Sequence, residues 1–220
     1  MTIARESWGR IPYREAWVRQ RAMVERRARD EIPDTFVFCE HDPVITLGRG
    51  AQRDASTVVR RPGVEVLEIE RGGLATYHGP GQLVVYPIVK LASGGRGVFK
   101  KGVVELIRAL ENWTIDYLGT QSLRAEAIPG KTGVWVIQGP VQTSPQERKI
   151  ASIGIAVRHW VSYHGIALNV STGQEPWTWI DPCGFDASVM TDLDRETGQP
   201  QALNSVADGL WALRERHFQL

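Results

Sequence analysis

Cysteine is scarce in this chain. Two residues of 220, Cys39 and Cys183, are too few for a disulfide framework, and no CxxC pair offers a zinc site or a redox dithiol. Long apolar runs are missing too. None reaches the roughly 18 residues that a membrane-spanning helix needs. The opening residues Met1-Thr2-Ile3-Ala4-Arg5-Glu6-Ser7-Trp8 carry charges where a secretory leader would have its apolar core. These absences predict a cytoplasmic protein with free thiols and no membrane association. Excess charge is absent as well: 26 basic against 25 acidic side chains give a net +1. No global electrostatic pull toward nucleic acid follows. The five histidines (His41, His78, His159, His164, His217) stand in no HExxH-like spacing, so no metal is expected. The glycine-rich Ala92–Gly97 stretch fits neither GxGxxG nor GxxxxGK[ST] and reads as a flexible connection.

Against these absences stands an ordinary globular composition, 42% hydrophobic and 23% charged, long enough for a core without staples. The spacing of Ala16, Trp17, Met23 and Val24 predicts an amphipathic helix over 11–30 with a basic outer side at Arg19, Arg26 and Arg27, ended by Pro33 and Asp34. Strands are predicted at 35–39, 44–47, 64–69 and 83–86, the last stopped by Pro87. A second helix over 101–118 follows, with Val104, Ile107, Leu110, Glu111 and Ile115 in register. A strand at 133–137, a polar loop over 139–148, paired strands at 149–157 and 161–170, and a closing helix over 203–217 complete the chain. Strands in runs with few helices predict an α+β fold: a mixed, mostly antiparallel sheet with flanking helices, in one domain over 1–220.

Three places carry candidate chemistry. The stretch Arg71-Gly72-Gly73-Leu74-Ala75-Thr76-Tyr77-His78-Gly79-Pro80-Gly81-Gln82 packs a cation and several polar groups between glycines. A simple hairpin needs no such set, and a ligand-lining loop does. Cys183 lies in Asp181-Pro182-Cys183-Gly184-Phe185, where Pro182 stiffens the approach and Gly184 leaves a backbone N–H open to a developing oxyanion. A lone cysteine is commonly a small buried hydrophobe, and Cys39, inside an apolar strand, is read that way. Lys149 opens the apolar run Ile150-Ala151-Ser152-Ile153-Gly154-Ile155. A lysine there is either a snorkelling surface residue or, if it faces inward, a usable base. A thiol with an ordinary pKa is a few per cent ionised at neutral pH, so a neighbouring base matters to it. The pair Trp177 and Trp179 is assigned to packing beside the Cys183 turn.

Taken together, the chain resembles the lipoyl(octanoyl) transferases from about Glu40 to about Leu193. The resemblance rests on Glu40-His41-Asp42-Pro43-Val44 with Thr46-Leu47-Gly48-Arg49, Arg71-Gly72-Gly73 with Thr76 through Gln82, and Gly133-Val134-Trp135-Val136. It continues in Lys149-Ile150-Ala151-Ser152-Ile153-Gly154, His164-Gly165-Ile166-Ala167-Leu168-Asn169-Val170 and Pro182-Cys183-Gly184. Past Cys183, the run Phe185–Leu193 departs from the family's usual Val-Thr-Ser-Leu ending, and the Gln138–Arg148 loop is longer than usual. The resemblance implies the catalytic core fold shared with biotin and lipoate protein ligases. It implies Cys183 as the acyl-thioester nucleophile and Lys149 as the residue that lowers the thiol's pKa and shuttles protons. Arg71, Gly72, Gly73, Leu74, Ala75, Thr76, Tyr77 and His78, with Ser152, Ile153 and Gly154 and with Gly165, Ile166 and Ala167, would then be walls of the acyl pocket. The implied donor is octanoyl-acyl carrier protein. The implied acceptors are lipoyl domains of 2-oxoacid dehydrogenase E2 subunits and the glycine cleavage H protein. No cofactor, nucleic acid or membrane enters, and a monomer is expected. Docking of acidic partners on Arg19, Arg26, Arg27, Lys100 and Lys101 competes with a plain solvated face for those charges. An ATP-dependent ligase, a non-catalytic acyl-binding protein and a hydrolase are the rival readings.

Overall fold

A computed structural model describes residues 3–53, 61–91, 102–138, 146–180 and 186–218. Seven strands form the main sheet in the order β1-β2-β6-β10-β9-β8-β7: β1 (Ala4–Ile11), β2 (Thr35–His41), β6 (Gln82–Ile88), β10 (Val161–Asn169), β9 (Gln146–Arg158), β8 (Lys131–Gln138) and β7 (Ala125–Ile128). Only the β1–β2 pair in this sheet is parallel. A second sheet, β4-β3-β5, joins β3 (Val44–Leu47) to β4 (Glu65–Glu68) in parallel and to β5 (Ala75–His78) antiparallel. The α+β expectation holds, with the mixed and mostly antiparallel sheet it specified.

Helices cover both faces of the main sheet. On one, α2 (Val103–Thr120) and α4 (Leu203–His217) close the larger core, where Trp113 stacks edge-on to Phe36 and Phe218 and donates its indole N–H to the Leu210 carbonyl at 2.7 Å. On the other, α1 (Tyr13–Ala28) lays Ala16, Met23 and Val24 over Val37, Val84 and Ala167. These positions recur at helical spacing, which is why the segment becomes a helix with one covered face. A short helix, α3 (Leu193–Thr197), is capped by the Asp192 carboxylate on the Arg195 N–H.

The chain departs from the sequence reading in several places, each with a physical reason. Arg27 is not on the outer side of α1. It is buried, and its guanidinium Nε donates to buried Asp34 at 2.6 Å. Arg19 and Arg26 are exposed as expected. On α2 the expected Leu110 and Glu111 are buried and Ile107 and Ile115 pack against the core, but Val104 is 61% exposed and the deepest packing comes from Leu106, Trp113 and Tyr117. Strand β6 runs through Pro87. A proline has no N–H to give a ladder, and the β10 partner at that level, His164, has bent away into a left-handed conformation (φ 57°) and donates its own N–H to Gln20 of α1 at 2.8 Å. Pairing between β6 and β10 accordingly stops at Val85–Ile166. The glycine-rich stretch from Arg71 is part loop and part strand β5. Lys100, Lys101, the Ala92–Gly97 connection and most of the polar loop at 139–145 lie outside the described residues.

Candidate active site

The cavity of interest lies on the α1 face of the main sheet, between that sheet and the loop leading into β5. It spans about 440 Å³, its open mouth included. Its base is the β9–β10 ladder, where Ser152 pairs with Ala167 and Gly154 with Gly165. The absence of side chains at the two glycines is what allows the neighbours to approach. A Cβ on Gly154 would stand 2.9 Å from Arg71 Cδ, and one on Gly165 would meet the Val85 carbonyl oxygen at 2.0 Å.

Arg71, buried, forms the roof. Its Nη2 donates to the Thr46 carbonyl at 2.7 Å and to Thr46 Oγ1 at 3.0 Å, and its Nη1 to the Gly72 carbonyl at 3.0 Å. The loop is tied to β9 by the Gly72 N–H on the Ile155 carbonyl at 3.1 Å. Gly73, at φ 87°, turns the chain back toward β5. Along β5 the side chains alternate. Thr76 and His78 face the cavity, whereas Ala75 and Tyr77 pack the opposite way with Ile45 and Trp177. Of the expected walls, Arg71, Gly73, Thr76, His78, Ser152, Ile153, Gly154, Gly165, Ile166 and Ala167 line this space; Gly72, Leu74, Ala75 and Tyr77 do not. Four further residues line it that sequence reasoning did not assign: Tyr13, Val84, Tyr86 and His164. His164 opens one of the matched blocks and so had a signal; an aromatic at the first position of α1 had none.

One end of the cavity is an ordered cluster of rings. His41 Nδ1 lies 2.8 Å from the Ile11 carbonyl, which can only accept, so Nδ1 carries the proton and Nε2 accepts from the Tyr86 hydroxyl at 2.6 Å. Burial pushes the His41 imidazole down to about 4. His78 Nδ1 donates to Gln82 Oε1 at 2.7 Å, and burial, with His41 and Arg71 nearby, holds it well below the ordinary value. Burial also lowers His164, with Glu70 opposing. All three rings are therefore neutral at pH 7. Cys39, buried beside His41, has its thiol pushed up by burial, as a packing cysteine should.

Lys149 is 3% exposed, on β9 three residues before Ser152. A bulge explains its direction. Val134 pairs with Ala151 but Trp135 pairs with Lys149, so Ile150 is an extra residue in β9. Ile150 and Ala151 both enter the core under α2. Lys149 thereby shares a face with Trp135 rather than with the core, and its Nζ sits 5.5 Å from the Trp135 ring centroid. That is also the face of Ser152 and Gly154. Gly133, at φ 120°, makes the room: a Cβ there would meet the Ala151 carbonyl oxygen at 2.4 Å and Lys149 Cε at 2.9 Å.

Cys183, with Asp181–Phe185, lies outside the described residues. Its flanks are described. Ile180 packs with Trp177 and Tyr77. Downstream, Met190 bridges to Lys149, and the Thr191 N–H donates to the Lys149 carbonyl at 3.0 Å. Asn169 Nδ2 donates to the Thr191 carbonyl at 2.9 Å, and the Thr191 hydroxyl donates to buried Glu196 on α3 at 2.5 Å. Met190 and Thr191, downstream of Cys183 in the sequence, are thus pinned beside Lys149. Among the described residues no group of His, Cys, Asp and Glu is arranged to hold a metal.

Compared with known proteins, residues 12–212 match the lipoyl protein ligase A/B catalytic domain. An octanoyltransferase of Bdellovibrio bacteriovorus is 38% identical over 207 residues, 88% of each chain. One from Thermobifida fusca is 39% identical, over 92% of this chain and 84% of its own. The chain belongs to the lipoyl(octanoyl) transferase family. It is an acyltransferase, and its fold is that of the wider group. A lipoate protein ligase from T. acidophilum with bound lipoic acid superposes with TM-score 0.69 at 13% identity, over 99% of this chain and 86% of that one. A biotin protein ligase from Aquifex aeolicus in complex with biotin and ATP does so with TM-score 0.54 at 11%, over 99% and 70%. No described helix of this transferase is long and apolar enough to cross a membrane.

Proposed function

We propose that this enzyme moves an octanoyl group from octanoyl-acyl carrier protein to a lysine of a lipoyl domain, through a thioester on Cys183. The observation that carries the reading is a buried lysine brought onto the cavity's face of the sheet by a bulge, hydrogen-bonded to Thr191 eight residues after Cys183, in a chain 36–40% identical to octanoyltransferases.

Lys149, neutral when it acts, takes the Cys183 thiol proton. The thiolate attacks the carbonyl carbon of the donor thioester, and backbone N–H groups at Gly184 and along Arg71–Gly73 hold the oxyanion. The carrier thiolate leaves with the proton from Lys149, and the octanoyl chain stays on Cys183 in the cavity. An acceptor lysine amine attacks the new thioester, yielding the amide and the free Cys183 thiol. Thioester exchange is nearly neutral in energy and conversion to amide is downhill, so neither ATP nor a metal is required. The acceptors are lipoyl domains of 2-oxoacid dehydrogenase E2 subunits and the glycine cleavage H protein, and the enzyme acts as a cytoplasmic monomer.

The test is the intact mass of the protein after mixing with octanoyl-carrier protein without ATP. An adduct cleaved by hydroxylamine, absent in Cys183→Ser, strongly slowed in Lys149→Ala and passed on to a lipoyl domain, is the expected result. A wild type that gains no adduct and makes no amide overturns the reading.

A further inference from the structure

We infer that Tyr13 is the far wall of the acyl cavity and sets the length of chain it admits. The inference rests on the acyl-transfer reading above.

The β9–β10 ladder gives the cavity a direction. Along β9, Lys149 comes first, just outside the cavity lining, followed by Ser152 opposite Ala167 and Gly154 opposite Gly165, and then by His164 opposite Ile155. At about 3.3 Å per residue, and discounting the bulged Ile150, Lys149 and this last pair stand on the order of 16 Å apart. The lysine side chain covers part of that distance, which leaves the rest for a chain of medium length.

Tyr13 stands across the far end, and everything about it is fixed. One residue, Pro12, separates the end of β1 from the start of α1, so the backbone has little freedom at this join. The Tyr13 ring is stacked on His78 at 5.3 Å and tilted against His41 at 5.1 Å, and its hydroxyl lies 3.3 Å from His164 Nδ1. Behind the ring is not solvent but an apolar cluster of Val44, Leu67 and Ile69, with Trp17 packed on it, to which Tyr13 itself belongs. The ring therefore stands between the acyl cavity and packed apolar core. Shortening it lengthens the cavity by the volume of the ring removed, and each methylene that then leaves water is worth roughly fourfold in binding.

The experiment acylates the full chain with carrier-bound hexanoyl, octanoyl, decanoyl and dodecanoyl groups, followed by intact mass over time. The quantity read is the decanoyl-to-octanoyl ratio of kcat/KM. It does not depend on the fraction of active protein, so a merely destabilised variant leaves it unchanged. Tyr13→Ala is expected to raise the ratio about fifteenfold, as two further methylenes are accommodated. Tyr13→Phe keeps the wall and the wild-type ratio. If Tyr13→Ala does not fold, Tyr13→Leu gives the same reading with a smaller shift. An octanoylated Tyr13→Ala, or Tyr13→Leu in its place, with the wild-type ratio overturns the wall and leaves the acyl-transfer reading standing. A wild type that takes no acyl group from any donor overturns both.

Discussion

At His41 the chain has fixed an imidazole between a carbonyl and a phenol and removed it from water. An imidazole held at about 4 takes up its proton in the unfolded chain well before it does so in the folded one. The stability this represents is intact above the ordinary value of about 6.5 and drains as the pH falls from there toward 4. For His41 alone the loss is about 3 kcal/mol, and His78, shifted the same way, adds to it. Urea unfolding between pH 7 and 5 should show the decline before most carboxylates begin to titrate, and nitrogen NMR should find His41 neutral and protonated on Nδ1 throughout that range. Gly133 makes a second prediction at this scale. An alanine there meets both a carbonyl and the Lys149 stem, at a φ of 120°. Gly133→Ala should cost about 1–3 kcal/mol and slow octanoyl loading in single-turnover measurements beyond what its remaining folded fraction accounts for.

Among the elements, α1, α2 and α4 were legible because their apolar residues recur at helical spacing, and the paired strands β9 and β10 because theirs form long apolar runs. β1 was not legible. Its sequence, from Ala4 to Ile11, is mostly polar and exposed, as a sheet edge tolerates, and only pairing with β2 makes it a strand. Nor could Pro87 be read as a residue within a strand, since the helix glutamine that takes over the orphaned bond lies more than sixty residues away in sequence. That exchange predicts the effect of Gln20→Ala. The buried His164 N–H loses its acceptor, at about 1–3 kcal/mol, which chemical denaturation will register. Glu196 makes a similar case for α3. Its buried carboxylate accepts from Gln138 at 2.6 Å, Thr191 at 2.5 Å and Arg148 at 3.1 Å. Glu196→Ala should cost about 2 kcal/mol, partial exposure of Arg148 softening the loss, and should expose the segment at Thr191 to hydrogen exchange.

For the whole molecule, the cavity is a product of assembly: α1 and two sheets each supply part of it, and none alone would enclose an alkyl chain. A ligand that fills it binds only the folded state. An unreactive octyl thioether of the carrier's thiol arm, at a hundred times its dissociation constant, should stabilise the protein by about 2.7 kcal/mol and raise its melting temperature by roughly 5–11 °C, measurable by scanning calorimetry. Glycines set around a cation pointed to the roof at Arg71, whereas the base at Gly154 and Gly165 came only from the family resemblance. The far end at Tyr13 gave no such signal, since an aromatic residue opening a helix is indistinguishable from ordinary core until the sheet is assembled against it.

The extra residue at Ile150 makes the side of the sheet on which Lys149 emerges a matter of parity. Delete the extra residue, conserving every functional group, and Lys149 stands two positions from Ser152 in an ordinary pleat, still on the cavity side. Delete two and they become neighbours on opposite sides, which turns the amine into the hydrocarbon beneath α2. Transplanting this reaction centre into another sheet would therefore mean counting residues between base and cradle, since a strand carries chemistry on a chosen side only if odd and even are kept straight.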